Sequence, residues 1–205
     1  MASQAEPRTW GPWPDRVRLP LSFDPARLAA DLAPLEGSAW TRHFVPDNYE
    51  GEWTVLPLRA PAGETHPIRM ISAAPSVNGY VDTPLLADCP TFASVLASFP
   101  CVLNAARLMR LAPGSVIREH RDPYLSAEDG LARLHIPIRT NDAVDFRVAG
   151  QRVDMAPGSL WYLRLSELHS VHNRGTTDRV HLVIDAVVDE WLAALLEAGL
   201  MEGGV

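Results

Sequence analysis

The sequence predicts a mainly β fold: a jelly-roll core, of the double-stranded β-helix or cupin-like kind, with a few flanking α-helices. The main observation is a series of short apolar segments between residues 101 and 188, separated by turn pairs such as Pro113-Gly114 and Pro157-Gly158. No helical pattern interrupts this series, and consecutive short strands with regular turns are typical of an antiparallel sandwich or barrel. A hydrophobic share of 47% and a charged share of 21% are ordinary for a soluble globular protein.

We expect a single domain over residues 1–205, whose first hundred residues support the core. Asp24 before Pro25 is typical of a helix start, and Thr91 is expected to cap a second helix. The segment from Asn48 to Trp53 mixes aromatic and acidic residues, which suits either a turn with packed aromatics or the rim of a pocket. The predicted segments of this half are an arm at 1–23 with a short strand at 17–21, a helix at 25–35, strands between 40 and 58, long loops at 59–88 that could include a lid, and a helix at 91–99.

The core and the C-terminal tail follow from the period of the apolar residues. Residues 101–188 are predicted to form the catalytic jelly roll, and residues 189–205 a C-terminal helix and tail. The predicted core strands are 102–111, 115–122, 134–138, 144–148, 151–155, 160–163 and 179–187.

Composition and charge exclude several classes of function. A net charge of −7 argues against a nucleic-acid partner, and no apolar run is long enough to span a membrane. All eighteen basic side chains are arginine, so lysine chemistry such as Schiff-base formation is excluded, and a GC-rich bacterial genome is a reasonable source. Cys89 and Cys101 fit no metal or redox spacing, and with no signal pattern at the N-terminus we expect a cytoplasmic protein.

The spacing of His120 and Asp122 indicates a metal site. On a strand, residues two apart point to the same face, so the imidazole and the carboxylate would converge on one point. Such a pair is two thirds of the facial triad that binds non-haem iron(II). The alternative for the pair alone is an exposed polar strand edge.

Two later residues extend the pattern. His169 follows Asp122 by 47 positions, about the length needed to bring the chain once round a barrel, and is the candidate third ligand. Arg179 heads a strand in which Val180, Leu182 and Ile184 form one apolar face, while Arg179, His181, Val183 and Asp185 share the other. An arginine directed into a barrel needs an anion, since an unpaired buried guanidinium is costly, and its planar fork suits a carboxylate.

These motifs resemble a known family. The segments RLMRLAPGSVIREHRD, RLHIPIRTN, MAPGSLWYLRLSELHSVHN and RVHLVID are similar to those of iron(II)/2-oxoglutarate-dependent oxygenases, and within them to the aspartyl/asparaginyl β-hydroxylase family, which includes bacterial proline hydroxylases. The resemblance implies an iron(II) centre at His120, Asp122 and His169, with 2-oxoglutarate and O2 as cosubstrates. It further implies that Arg179 binds the distal carboxylate of 2-oxoglutarate, and that Arg133 and His135 contact a carboxylate of 2-oxoglutarate or substrate.

The presence of Asp122 bears on the substrate, because vertebrate peptide-modifying members of the family look as if they lack this ligand. The likeness therefore favours a hydroxylase of a free amino acid or a small amino-acid-like molecule. A peptide or carrier-bound substrate, and a cupin-like metal-binding module without oxygenase activity, are the alternatives. The candidate partners for a substrate carboxylate are Arg107, Arg110, Arg118 and Arg133, and those for an ammonium are Glu50, Glu52 and Asp129.

Several candidates also have an ordinary structural interpretation. Arg133 could instead pair with a nearby carboxylate such as Asp129. His172 is out of phase with His169 on a strand, and His181 is expected to be a hydrogen-bonded core histidine. His43 and His66 are expected at the surface.

Overall fold

The computed structural model describes residues 10–72 and 78–203, and within them two antiparallel sheets form a jelly roll, as the sequence predicts. The strands are β1 (Arg16–Ser22), β2 (Thr41–Arg42), β3 (Tyr49–Glu50), β4 (Trp53–Pro61), β5 (Tyr80–Asp82), β6 (Leu103–Leu111), β7 (Val116–His120), β8 (Leu131–Arg139), β9 (Val144–Val148), β10 (Gln151–Arg152), β11 (Ser159–Leu163), β12 (His169–Asn173) and β13 (Arg179–Val187). The helices are α1 (Pro25–Leu32), α2 (Pro67–Met70), α3 (Pro84–Ala87), α4 (Pro90–Ala97) and α5 (Glu190–Met201).

The larger sheet has the strand order β1-β11-β8-β13-β6-β4-β2, and β5 also pairs with β4, at residues 59–61. The smaller sheet has the order β10-β9-β12-β7-β3. Non-consecutive neighbours such as β7 and β12 bring distant parts of the sequence side by side, which is the property of the fold that assembles the site.

The alternation of side chains along β13 divides the core in two. Val180, Leu182 and Ile184 pack with side chains of α1, α4 and α5 on the outer face of the larger sheet. Val183, on the opposite face, packs in a second apolar cluster that includes Phe146 and other residues of the smaller sheet. The predicted two-faced pattern of this strand is confirmed, and its inner face, which begins with Arg179, is directed between the sheets.

The helix starts show one correct prediction and one error. The Asp24 carboxylate accepts hydrogen bonds from the Ala26 and Arg27 amides at 2.9 and 3.4 Å, and α1 ends at Leu32 before a 3₁₀ turn at 33–35. Thr91 does not cap α4. The Asp31 carboxylate of α1 accepts the Thr91 and Phe92 amides at 2.7 and 2.9 Å, so one helix caps the next.

Other boundaries differ in detail from the prediction. β7 ends at His120 rather than Asp122, β10 is shorter than predicted, and β8 is longer. The segment predicted as loops contains the end of β4 with α2, β5 and α3; its residues 73–77 lie outside the described part. The strand β12 was not predicted as a separate element.

The C-terminal helix packs closely on the N-terminal strand. A side chain at Gly199 would place its Cβ 2.5 Å from the Arg18 carbonyl oxygen, so glycine permits this approach of α5 to β1. No helix in residues 10–72 and 78–203 has the length and apolar character that a membrane span requires.

Candidate metal centre and its cavity

The register of β7 and β12 places two histidines side by side. His120, the last residue of β7, pairs with His169, the first residue of β12, and their ring centroids lie 4.2 Å apart. Asp122 lies just beyond the end of β7, where its amide donates to the Leu165 carbonyl at 2.8 Å. Candidate ligand atoms of the three residues lie within 4.8 Å of one another. The structure therefore brings the three predicted residues together, although Asp122 comes from a loop and not from the strand.

The hydrogen bonds of the two imidazoles leave one nitrogen of each free. His120 Nδ1 lies 2.7 Å from the Arg118 carbonyl oxygen, and His169 Nδ1 lies 3.0 Å from that of Glu167. Since a carbonyl oxygen only accepts, each Nδ1 carries the hydrogen and each Nε2 presents a lone pair. Burial lowers the pKa of His169 to about 4, which keeps the ring in the neutral form that binds metals.

Asp122 has one oxygen engaged and one available. Its Oδ2 accepts from Arg133 Nη1 at 2.9 Å, while its Oδ1 lies 3.8 Å from His120 Nε2. Two imidazole nitrogens and one carboxylate oxygen on one side of a point are the donor set of the two-histidine, one-carboxylate triad for iron(II). The residues present therefore fit the metal that the sequence pattern implies.

The three residues border a cavity of about 450 Å³ between the two sheets. Most of its wall is apolar. The lining residues include Phe44, Val45, Trp53, Met109, Ile117, Leu125, Leu131, Phe146, Leu165 and Val171, together with the polar residues His43, Asn48, Arg107, Arg133, His135 and Arg179.

Arg179 is a buried cation in this cavity without a carboxylate partner in the described part of the chain. Its side chain is 2% exposed, its Nη2 lies 2.8 Å from His181 Nδ1, and its Nε has no hydrogen-bond partner among the described residues. The guanidinium carbon lies 5.3 Å from the Phe146 ring centroid. Burial lowers the pKa of Arg179 to about 9, so the group still carries its charge at neutral pH. A charge buried in this way is suited to binding an anion.

Arg133 and His135 both line the cavity, but their surroundings differ. Arg133 binds both oxygens of Asp185, with Nε–Oδ1 and Nη2–Oδ2 distances of 2.7 and 3.1 Å, in addition to Asp122. The alternative of an ion pair with a carboxylate is therefore confirmed, but its partners are Asp122 and Asp185, while Asp129 accepts from the Ser126 hydroxyl at 2.6 Å. His135 is 4% exposed, and its Nε2 has no partner among the described residues.

Most of the other predicted carboxylate and ammonium partners lie elsewhere. Arg110 pairs with Glu52 at 3.2 Å and Arg118 with Glu50 at 2.9 Å, and none of these four is among the described residues that line the cavity. Of the predicted carboxylate partners, only Arg107 and Arg133 line it. The pairing of strands that are distant in the sequence determines which arginines have a carboxylate partner, and the sequence alone does not reveal that pairing.

Three of the remaining histidines behave as expected. His181 is buried and accepts a hydrogen bond from Arg179, so it is a core histidine. His172 contacts Arg174 at 3.3 Å on the outer side, and His66 is exposed.

His43 was wrongly expected at the surface. It lines the cavity and stacks on Trp53, with ring centroids 3.5 Å apart and planes 8° from parallel. Burial, followed by the charge of Arg107, lowers the pKa of His43 to about 3. The sequence signal for this position was the aromatic segment at 48–53. Both of its interpretations are confirmed, because Tyr49 packs on Trp53 while Asn48 and Trp53 line the cavity.

The fold and the site together have the features that the motif resemblance implies: a jelly roll, a two-histidine, one-carboxylate cluster and a buried arginine. Comparison with known proteins identifies the family. The model of the Aspartyl/Asparaginyl beta-hydroxylase family matches residues 32–188, and the chain belongs to this family. The resemblance predicted from the motifs is confirmed.

Among individual relatives, the chain is 29% identical over 168 residues to L-proline cis-4-hydroxylase of Rhizobium meliloti (strain 1021). The match covers 80% of this chain and 58% of that protein. The chain thus spans little more than half the length of this relative.

Two solved structures are similar in fold. One is an oxidoreductase of the 2OG-Fe(II) oxygenase family from Burkholderia pseudomallei, with a TM-score of 0.54, 17% identity, and coverage of 84% of this chain and 85% of that one. The other is a prolyl-4-hydroxylase of Pseudomonas putida, with a TM-score of 0.51, 12% identity, and coverage of 85% and 93%. At these identities the likeness concerns the fold.

Proposed function

We propose that this protein is an Fe(II)/2-oxoglutarate-dependent dioxygenase. It hydroxylates an unactivated C–H bond of a free amino acid or a small amino-acid-like molecule, with release of succinate and CO2. The observation that carries the proposal is the presence of two features in one cavity: the His120, Asp122 and His169 cluster, and the buried Arg179 cation, which has no carboxylate partner among the residues that the structure describes.

His120, Asp122 and His169 are the residues that would hold the iron. When bound, iron(II) and 2-oxoglutarate supply the oxidative chemistry with O2, and the protein supplies orientation and a dry pocket. The backbone carbonyls at Arg118 and Glu167 contribute by fixing the tautomer of each histidine, so both Nε2 atoms are ready to bind metal.

Arg179 is proposed to bind the distal carboxylate of 2-oxoglutarate. The guanidinium nitrogens that are not bound to His181 can donate to a carboxylate in the cavity, whose wall is mostly apolar. Arg133 and His135 complete the proposed set as contacts for a carboxylate of 2-oxoglutarate or of the substrate, since both line the cavity.

The cavity wall supports a substrate with an apolar body and a carboxylate. Arg107 and Arg133 are cations on the wall, and Asp122 is the only acidic residue among the described lining residues. The similarity to an L-proline hydroxylase supports an amino acid. Because no second carboxylate faces the cavity in the described part, a substrate with a blocked amine, as in a peptide or carrier-bound residue, is the second candidate.

The test is succinate formation by anaerobically purified protein given iron(II), 2-oxoglutarate and air. The panel holds free amino acids, beginning with proline, and the N-acetyl derivative of each. We expect at least one free amino acid to raise succinate formation above the level without substrate. Stimulation by N-acetyl derivatives alone would move the assignment to blocked residues. If 2-oxoglutarate neither binds nor is consumed, a metal-binding module without oxygenase activity is the better description.

We also propose that the chain forms one domain and works in the cytoplasm. The packing of α5 on β1 joins the two ends of the described chain, which supports a single unit. Cys89 and Cys101 are both buried free thiols, as a reducing compartment favours. A small-molecule partner, and neither nucleic acid nor membrane, fits the net charge of −7.

A further inference from the structure

A row of three charged residues crosses the inner face of the larger sheet. Arg107 lies on β6, Asp185 on the neighbouring β13, and Arg133 on β8 beyond it. Asp185 is directly opposite Arg133, and the pairing with β6 shifts register between Ile184 and Ala186. Such a bulge changes the direction of a side chain, and here it accompanies a carboxylate that contacts both flanking arginines.

Asp185 binds both guanidiniums in a nearly dry environment. Its carboxylate is 1% exposed and accepts from Arg133 Nε and Nη2 at 2.7 and 3.1 Å, and it also accepts from Arg107 Nη2. Arg107 Nη1 is held in addition by the Ile71 carbonyl at 3.0 Å. Burial alone would raise the pKa of Asp185, but the two arginines outweigh it and hold this pKa below its usual value.

Arg133 connects Asp185 to the metal cluster. While two of its nitrogens are bound to Asp185, its Nη1 donates to Asp122 Oδ2 at 2.9 Å. The flexible Arg133 side chain is therefore fixed from behind by one carboxylate while it orients another. This leaves Asp122 Oδ1 as the free oxygen, on the side of His120 Nε2.

We propose that Asp185 is a positioning residue for the metal centre, which holds Arg133 so that Asp122 presents a single oxygen to the ion. This rests on the proposed function, since it takes Asp122 to be a metal ligand. Asp185 also neutralises part of the charge of Arg107 and Arg133, and so makes the cavity less positive toward an incoming cation.

The two roles predict that loss of the Asp185 charge affects the affinities for a divalent cation and for 2-oxoglutarate differently. Without the negative charge of Asp185, the positive charges of Arg107 and Arg133 are compensated less, so a divalent cation binds more weakly. The same change does not weaken the binding of a dianion such as 2-oxoglutarate. A general loosening of the protein would instead weaken the binding of both ligands, which separates a positioning role from a merely structural one.

The experiment compares wild type with Asp185→Asn, which keeps the shape of the side chain and removes its charge. Co(II) affinity is measured by spectroscopic titration, and 2-oxoglutarate affinity by calorimetry at saturating Co(II). We expect Co(II) affinity to fall by about 10- to 100-fold, the range for residues that support metal ligands. We expect 2-oxoglutarate affinity to stay the same or to rise.

The matched control is Asp145→Asn. Asp145 is also an aspartate between two arginines, at 3.0 Å from Arg147 Nε and 3.2 Å from Arg174 Nη1, but it is not among the described residues that line the cavity. Its Co(II) affinity should equal that of the wild type.

If Asp185→Asn does not fold, the double variant Arg107→Met/Asp185→Asn removes opposite charges together and keeps the local charge balanced. The proposal predicts weaker Co(II) binding there too, because Arg133 has lost its anchor. Co(II) affinity within twofold of wild type in the folded variant, or a parallel loss of both affinities, would overturn the proposal. Failure of the proposed function would give a different result: the wild-type protein itself would bind neither Co(II) nor 2-oxoglutarate. That result would overturn both the proposed function and the role of Asp185.

Discussion

His120 and His169 face each other across the β7–β12 ladder, with their ring centroids 4.2 Å apart. Strand register therefore fixes two of the three proposed metal ligands, and a slip of one residue would turn one histidine to the opposite face of the sheet. The third, Asp122, is held by its own amide on the Leu165 carbonyl and by Arg133 on its carboxylate. Strand pairing thus positions the two histidines, while a backbone hydrogen bond in a loop and one side-chain contact position Asp122.

Replacing Asp122 by alanine should abolish the metal site. We expect Asp122→Ala to weaken Co(II) binding by more than about 100-fold, because even the residues that only support ligands contribute about 10- to 100-fold. The measurement is spectroscopic titration with Co(II). The control is Asp154→Ala, which breaks an exposed pair with Arg152 and should leave the affinity unchanged. Near wild-type affinity in Asp122→Ala would exclude this carboxylate as a ligand.

Replacing Arg179 by methionine should separate 2-oxoglutarate binding from metal binding. Loss of one partner of a buried charge pair costs about 2–5 kcal/mol, which corresponds to a loss of 2-oxoglutarate affinity of roughly 30-fold or more. Co(II) affinity should change little. Because the ligand-free protein holds this cation without a carboxylate in the described part, Arg179→Met should not lower its melting temperature. Calorimetry and a thermal melt test both points, and unchanged 2-oxoglutarate affinity would contradict the role of Arg179.

His43 should make the stability of the metal-free protein depend on pH. Its folded pKa of about 3 lies below the unfolded value of 6.5, so below pH 6.5 the unfolded chain binds more protons. Stability from this group is therefore present above pH 6.5 and is lost as the pH falls from 6.5 toward 3. Each proton of difference contributes at most about 1.4 kcal/mol per pH unit.

The His43 prediction is tested by urea unfolding at pH 6.5 and 4.5. We expect His43→Gln to lose less stability between these two values than wild type, while His66→Gln, at an exposed position, should follow wild type. Identical pH dependence in all three proteins would show that His43 is not buried in the neutral form.

Asp31 should stabilise the fold without affecting the site. Asp31→Ala removes the acceptor for two amides at the start of α4, and loss of an N-cap costs about 0.5–2 kcal/mol. Urea unfolding measures this change, and Co(II) affinity should stay at the wild-type value. The exposed Asp88→Ala serves as the control and should lie within about 0.5 kcal/mol of wild type. Equal stability of the Asp31 and Asp88 variants would mean that the cap contributes nothing.

The local sequence pattern predicts those features that depend on the alternation of residues along a strand and on a helix cap next to the helix in sequence. The inner and outer faces of β13 follow from alternation, and the Asp24 start of α1 follows from its sequence. The Asp31 cap of α4 could not be predicted, because cap and amide lie 60 residues apart and meet only when two helices pack. Within the site, His120, Asp122 and His169 were found through their spacing and the family resemblance.

The partners of charged residues were the part that sequence could not predict. Asp129 was the example given for a carboxylate partner of Arg133, yet Arg133 binds Asp122 and Asp185, the latter 52 residues away on a neighbouring strand. The distance along the chain carries no information about such a pair, since β8 and β13 meet only in the finished sheet. His43 was missed for a different reason: its stacking on Trp53 depends on the pairing of β2 with β4, and the segment between these strands itself contains β3.

The central claim is that one cavity binds iron(II) through His120, Asp122 and His169 and 2-oxoglutarate through Arg179. The most direct measurement is an anaerobic titration of 2-oxoglutarate into the iron(II)-loaded protein, followed by the visible charge-transfer absorption of the iron(II)–2-oxoglutarate complex. We predict a saturable band for wild type, the same band at a much higher midpoint for Arg179→Met, and no band for Asp122→Ala. No band in wild type, or equal titrations for wild type and Asp122→Ala, would contradict the claim.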